Sequence, residues 1–191
     1  MKATFARAAA VMGILVVASG ALATTTSETI SGNGAAASFA TSSTNCIENF
    51  ITVTAGTNVI TPAGVEPVKA VLTIAQSDIC LGQNLGTSSG VSTTVAFAGD
   101  LNSASLVGTI TVFDENGVGR SVPVSLTWVG TGTTTHANTT TKFIAGNDIT
   151  TIRTRDASRN ATVTGSVDGF PVSPSPAMLF NDVRVTKTRT L

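Results

Sequence analysis

Leu106-Val107-Gly108-Thr109-Ile110-Thr111-Val112 and Val122-Pro123-Val124-Ser125-Leu126-Thr127-Trp128 decide the fold class. In both stretches Leu, Ile, Val or Trp occupies nearly every second position, with Thr, Ser, Gly or Pro filling much of the rest. A period of two belongs to a strand with one face in a core, and β-branched residues fit that pleated surface. Pairing Val112 with Val122 sets Ile110 against Val124 and Leu106 against Trp128, all on one face. A one-residue slip would pair Val112 with Ser121 and split the apolar sets. The matched register centres on Gly117 and predicts an odd-length loop with Gly117 or Gly119 at positive φ. Pro123 falls on the other face and donates no hydrogen bond, so an edge or bulge is expected there.

The same alternation runs outward from this hairpin. Strands are expected at 36–42, 50–55, 68–76, 91–97, 106–114, 121–129, 150–154, 161–167 and 179–188. Turn signals lie between them: Thr61-Pro62-Ala63-Gly64, Ala98-Gly99-Asp100, Asn116-Gly117, Gly146-Asn147-Asp148 and Asp168-Gly169. No segment carries the apolar spacing of a helix, and there is no internal repeat or interdomain linker. The expectation is all-β: a single antiparallel β-sandwich domain of about 8–10 strands over 35–191. Residues 24–34, polar and Gly-containing, read as a flexible lead.

Phe50 to Ala55 and Val68 to Gln76 flank the Pro62-Ala63-Gly64 turn. A hairpin symmetric about Ala63 sets Cys46 opposite Cys80. With no other thiol in the chain, a disulfide Cys46–Cys80 clamping the open end of the hairpin is expected. Closing such a loop contributes about 4 kcal/mol in the chain-entropy model. A metal or redox pair would want closer spacing and another soft ligand.

The first 23 residues read as a secretory signal peptide. Lys2 and Arg7 precede a small and apolar run, and Ala21-Leu22-Ala23 offers cleavage between Ala23 and Thr24. The run is too short and Ala-rich for a membrane span of roughly 20 residues, and no Cys follows for a lipid anchor. The reading is a secreted protein (extracellular, cell-surface or periplasmic) without a transmembrane anchor. Without those residues the chain carries 9 Lys and Arg against 11 Asp and Glu. No like-charge run exists, so the sequence shows no footprint for nucleic acid or an anionic membrane. A lipid-facing barrel would want aromatic girdles, and the chain has one Trp and no Tyr.

Chemistry is hard to build from the remaining residues. His136, the one His, sits in a Thr- and Gly-rich stretch read as a polar loop, with nothing to place Asp or Ser beside it. The carboxylates Asp78, Asp100, Asp114, Glu115, Asp148, Asp156, Asp168 and Asp182 mostly adjoin Gly or Asn at strand ends, where Asx side chains stabilise turns. No calcium-loop pattern is present. The alternation sends Trp128 into the core rather than to an exposed sugar-stacking platform. Asn138-Thr139-Thr140 and Asn160-Ala161-Thr162 match the glycosylation pattern, read as incidental. The expectation is no enzyme, no cofactor and no metal.

Asn45-Cys46-Ile47-Glu48, the stretch from Ile74 to Cys80, Leu101-Asn102-Ser103-Ala104-Ser105-Leu106 and the stretch from Ser125 to Gly132 together resemble small exported bacterial β-rich proteins without an established activity. The resemblance implies no catalytic residue and agrees with one domain and one disulfide. Three function classes stay open. The first is a non-catalytic extracellular or cell-surface protein that binds a protein or carbohydrate partner or has a structural role. The second is a pilus- or fimbria-like fibre subunit that self-associates by donating its lead strand, although 183–191 lacks the aromatic-ended pattern of such subunits. The third is a secreted hydrolase, which lacks a convincing base.

Overall fold

The computed structural model describes residues 24–42 and 46–190, and among these it contains strands and no helix. The signal-peptide reading of 1–23 lies outside the described residues. The strands are β1 (Thr24–Ser42), β2 (Ile47–Thr61), β3 (Gly64–Val65), β4 (Lys69–Asp78), β5 (Gln83–Ser92), β6 (Ala96–Gly99), β7 (Ser103–Phe113), β8 (Gly119–Gly130), β9 (Thr135–Ala145), β10 (Asp148–Val167) and β11 (Phe170–Thr190).

These strands form a single antiparallel sheet rather than the two stacked sheets expected. Going round it, β1, β2, β4, β5, β7, β8, β10 and β11 each pair with the next, and β11 pairs back to β1. Eight strands in chain order therefore close into an up-and-down barrel, with β3, β6 and β9 attached to it. Sandwich and barrel share the alternation of inward apolar and outward polar residues. What separates them is the long β1, paired to both β2 and β11, which leaves no open edge where the ring closes. Residues 24–34 are thus strand, not a flexible lead. Their alternation was hidden because Ser, Thr, Gly and Asn fill both faces.

The interior is apolar and filled. Trp128, Ile51, Leu72, Ile74, Leu106, Ile110, Leu126 and Leu179 are its largest fully buried side chains. Outward positions of β7 and β8 mix Ser105, Thr109, Thr111, Ser121, Ser125 and Thr127 with exposed Val107, Phe113 and Val129, while the interior is apolar, unlike the polar lumen of a lipid-facing barrel. β5 is the exception. Gly86, Ser88, Gly90 and Ser92 alternate with its exposed side chains. A Cβ on Gly90 would lie 2.0 Å from the Thr111 carbonyl oxygen, so the missing side chain lets β5 approach β7. Their ladder has a single pair, Ser89 with Phe113. The expected strand 91–97 is split there between β5 and β6, with residues 93–95 as bends.

Both reasoned hairpins form, with shifted registers. β7 and β8 pair Ile110 with Val122 and Ala104 with Trp128, two residues from the expected match. An even shift keeps every face assignment, and Gly117 has φ of 77°. Asp114 sets the tighter register: its Oδ1 accepts from the amides of Asn116 and Val118 at 2.9 and 2.8 Å. Pro123 is exposed and lies one residue past the last β8–β10 pair, Val124 with Val167. β2 and β4 pair Ile47 with Asp78, one residue from symmetry about Ala63. Cys46 therefore faces Ile79, whose amide donates to the Cys46 carbonyl at 2.8 Å. The Cys46–Cys80 disulfide forms all the same, with Cα atoms 5.5 Å apart.

β10 bends at Gly165, where the β10–β11 register shifts. Gly165 has φ of 135°, and a Cβ there would lie 2.0 Å from the Ser125 carbonyl oxygen. Pairs between β8 and β10 run only from Ala161 to Val167. Below Ala161, β10 pairs instead with β9. β9, residues 148–158 of β10, 180–190 of β11, 24–33 of β1, the end of β2 and β3 thus continue past the barrel as an open sheet extension.

Candidate functional site

The extension has two faces of opposite charge. Cross-strand partners share a face, so the registers sort its residues. On the face continuous with the barrel interior lie His136, Asn138, Thr140, Lys142 and Ile144 of β9. Beside them are Ile149, Thr151, Arg153, Arg155 and Ala157 of β10, and Asn181, Val183, Val185, Lys187 and Arg189 of β11. The β1 and β2 positions that follow, from Thr25 to Asn33 and from Thr57 to Thr61, are neutral. Lys142, Arg153, Arg155, Lys187 and Arg189 are all exposed, and no carboxylate shares this face of the paired strands. The only ion pair among the described residues is remote from it, between Arg120 and Asp168. Nearest the barrel, Asn181 donates to Asn33 Oδ1 at 2.6 Å. Arg159, one step further in, donates to Asn102 Oδ1 at 2.8 Å and to the Gly132 carbonyl at 3.2 Å.

Shallow depressions mark the basic face. One of about 140 Å³ is lined by Thr151, Arg153, Val185 and Lys187. Another of about 470 Å³ runs between β9 and β10 along Asn138, Thr140, Arg153 and Arg155. The opposite face carries Glu28, Asp148, Asp156 and Asp182 with Arg184. Asp156 and Asp182 are direct cross-strand partners. Partial burial, and then the charge of Asp156, push the Asp182 carboxyl above its usual range.

The sequence-level candidates disperse. His136 lies on β9, a strand rather than a loop, opposite Ala157, and it is exposed. Asp78 Oδ1 accepts from the Cys80 and Leu81 amides at 3.0 Å. Asp100 Oδ1 accepts from the Asn102 and Ser103 amides at 2.6 and 2.9 Å. The Ser103 bond and then the Asn102 bond hold Asp100 below the usual carboxylate range. Asp148 accepts from the Thr190 hydroxyl at 2.7 Å. Turn and pairing roles thus occupy these carboxylates. The two cysteines approach Asp78 as a metal-sized cluster, but both sulfurs are bonded to each other and offer no thiolate. Trp128 is fully buried, and among the described residues its indole N–H has no partner, nor does the Thr41 hydroxyl.

At the far end of the barrel a hollow of about 210 Å³ is lined by Asn49, Ile51, Ile74, Gln76, Arg120, Asp168 and Phe170. Gln76 donates to Asn49 at 2.8 Å there, and the Arg120–Asp168 pair borders it. Each of its polar groups named here already has a protein partner. The basic face was missed because its charges sit on three strands. Its sequence signal is the alternate spacing of Arg153 with Arg155 and of Lys187 with Arg189.

Comparison with known proteins found no matching family model, curated protein or solved structure. Among the described residues, no helix is long and apolar enough to cross a membrane.

Proposed function

We propose that this protein works outside the cytoplasm as a non-catalytic binding protein, with the filled barrel as scaffold and the sheet extension as its working surface. The supporting observation is that all eleven residues of β9 are exposed. Ordering a residue costs about 1–2 kcal/mol of backbone entropy, and β9 offsets that with no core burial. A strand of this kind is explained by what it displays. The oxidised Cys46–Cys80 pair is compatible with an exported chain, and the 1–23 stretch supplies the address. Fractionation of cells producing the full chain tests this. The protein should leave the cytoplasm with Thr24 at its N-terminus and no free thiol. A cytoplasmic chain retaining residues 1–23 and both thiols would overturn the reading.

One observation favours a fibre subunit as the second reading. The outer edge of β9 pairs with no strand among the described residues, and such an edge is a template for strand addition. The lead itself is a poor donor, because 24–34 is engaged by β11 and 29–34 also by β2. Sedimentation over a hundredfold concentration range separates the two. A monomer throughout removes the fibre reading.

A further inference from the structure

We infer that the basic face of the extension binds a linear acidic polysaccharide, an inference that rests on the working surface proposed above. Five of the nine Lys and Arg residues that follow residue 23 converge on three adjacent strands. Strands are about 4.8 Å apart and alternate residues about 7 Å apart along each. Lys142 and Lys187 flank Thr151 across the sheet, and Arg153 and Arg155 continue the patch toward the barrel. Such a lattice matches a polymer carrying a negative charge on successive units. Arg forks suit carboxylate or sulfate groups bidentately. The residues between the cations, Asn138, Thr140, Thr151 and Ser27, present amides and hydroxyls that can bond sugar hydroxyls.

Other polyanions fit less well. Single-stranded nucleic acid is held by aromatic stacking as well as charge, and apart from His136 this face has no aromatic side chain on its described strands. Duplex DNA takes a helix or narrow ribbon into its groove, whereas this face is a sheet of six strands. A membrane would want large apolar side chains projecting beside the cations, whereas Ile149, Val183 and Val185 are half-buried between them and Ile144 alone of this group is exposed. Phe143 and Ile144 near the β9–β10 turn are exposed, but they alternate onto opposite faces, and Phe143 lies on the acidic one.

Affinity electrophoresis of the chain beginning at Thr24, in gels containing polygalacturonate or neutral dextran, tests the inference. Parallel binding assays would use a duplex DNA and phosphatidylglycerol vesicles. Polygalacturonate should retard the protein and dextran should not. Affinity should fall at least about tenfold between roughly 50 and 300 mM NaCl. R153Q/R155Q should abolish retardation, while K69Q/R184Q, with the same charge change elsewhere, should keep it. Trp128 emission checks that each variant is folded. Absence of retardation, equal loss in both variants, or tighter binding to DNA or vesicles would overturn the inference. A chain that is exported yet blind to polygalacturonate removes this inference alone, because fractionation tests the export reading separately.

Discussion

Among the described residues, Trp128 contributes more volume to the interior than any other fully buried side chain, and its indole N–H has no hydrogen-bond partner there. Trp128→Ala should cost about 3–5 kcal/mol, against a total stability of roughly 5–15 kcal/mol for such a domain. Trp128→Phe should cost clearly less, because it keeps most of the apolar volume and removes an N–H buried without a partner. Denaturant unfolding of both variants checks this. Equal losses would mean that the indole N–H is engaged after all. The burial of Trp128 was legible because its neighbours at alternate positions are Val122, Val124 and Leu126. The status of its N–H was not, since it depends on side chains from other strands. His136 shows the reverse error: a Thr-rich stretch without apolar alternation reads as loop, and only pairing with β10 makes it strand.

At the scale of elements, turn chemistry fixes registers that hydrophobic matching leaves free by two residues. Face assignment in the β7–β8 hairpin followed from period two alone, whereas its register waited on the Asp114 turn. The β2–β4 hairpin is displaced by one residue because its turn centres on Pro62 and an extra residue separates β3 from β4, yet the cysteines still reach each other diagonally. Replacing both with Ser should lower stability by about 4 kcal/mol, measured by denaturant unfolding. A loss under about 1 kcal/mol would show that the linkage does not restrain the unfolded chain. The β10–β11 ladder makes a second prediction. Like charges directly opposite each other destabilise a sheet, and Asp156 faces Asp182. The raised Asp182 carboxyl contributes stability below the ordinary carboxylate pKa that is lost as pH rises through its folded value. Asp182→Asn should therefore be more stable than the parent at neutral pH by about 0.2–1 kcal/mol, and the gain should vanish in acid once both carboxyls are protonated. A gain that persists at low pH would assign the effect to packing over Gly32 instead.

For the whole molecule, two properties come from closure and neither is local in sequence. A sandwich and a barrel demand the same alternation, and the chain chooses between them through β1, a strand of 19 residues whose first part, 24–34, is too polar to announce itself. The charge pattern behaves in the same way. No run of like charges exists along the chain, yet the registers of β9, β10 and β11 gather five cations on one face and leave the carboxylates to the other. Closure depends on 34–42 of β1 being paired, to β2 throughout and to β11 as far as Ala37, and the extension on 24–33, so amide hydrogen exchange of β1 is the most direct test. Protection reports the opening free energy of each segment. A β1 paired on both sides should exchange slowly from Gly32 to Phe39, comparably with β7 and β8, with measurable protection at the hydrogen-bonded amides of 24–31. Exchange of 24–34 at the rate of an unstructured peptide, with β2 and β11 fast along the facing edges, would contradict that pairing.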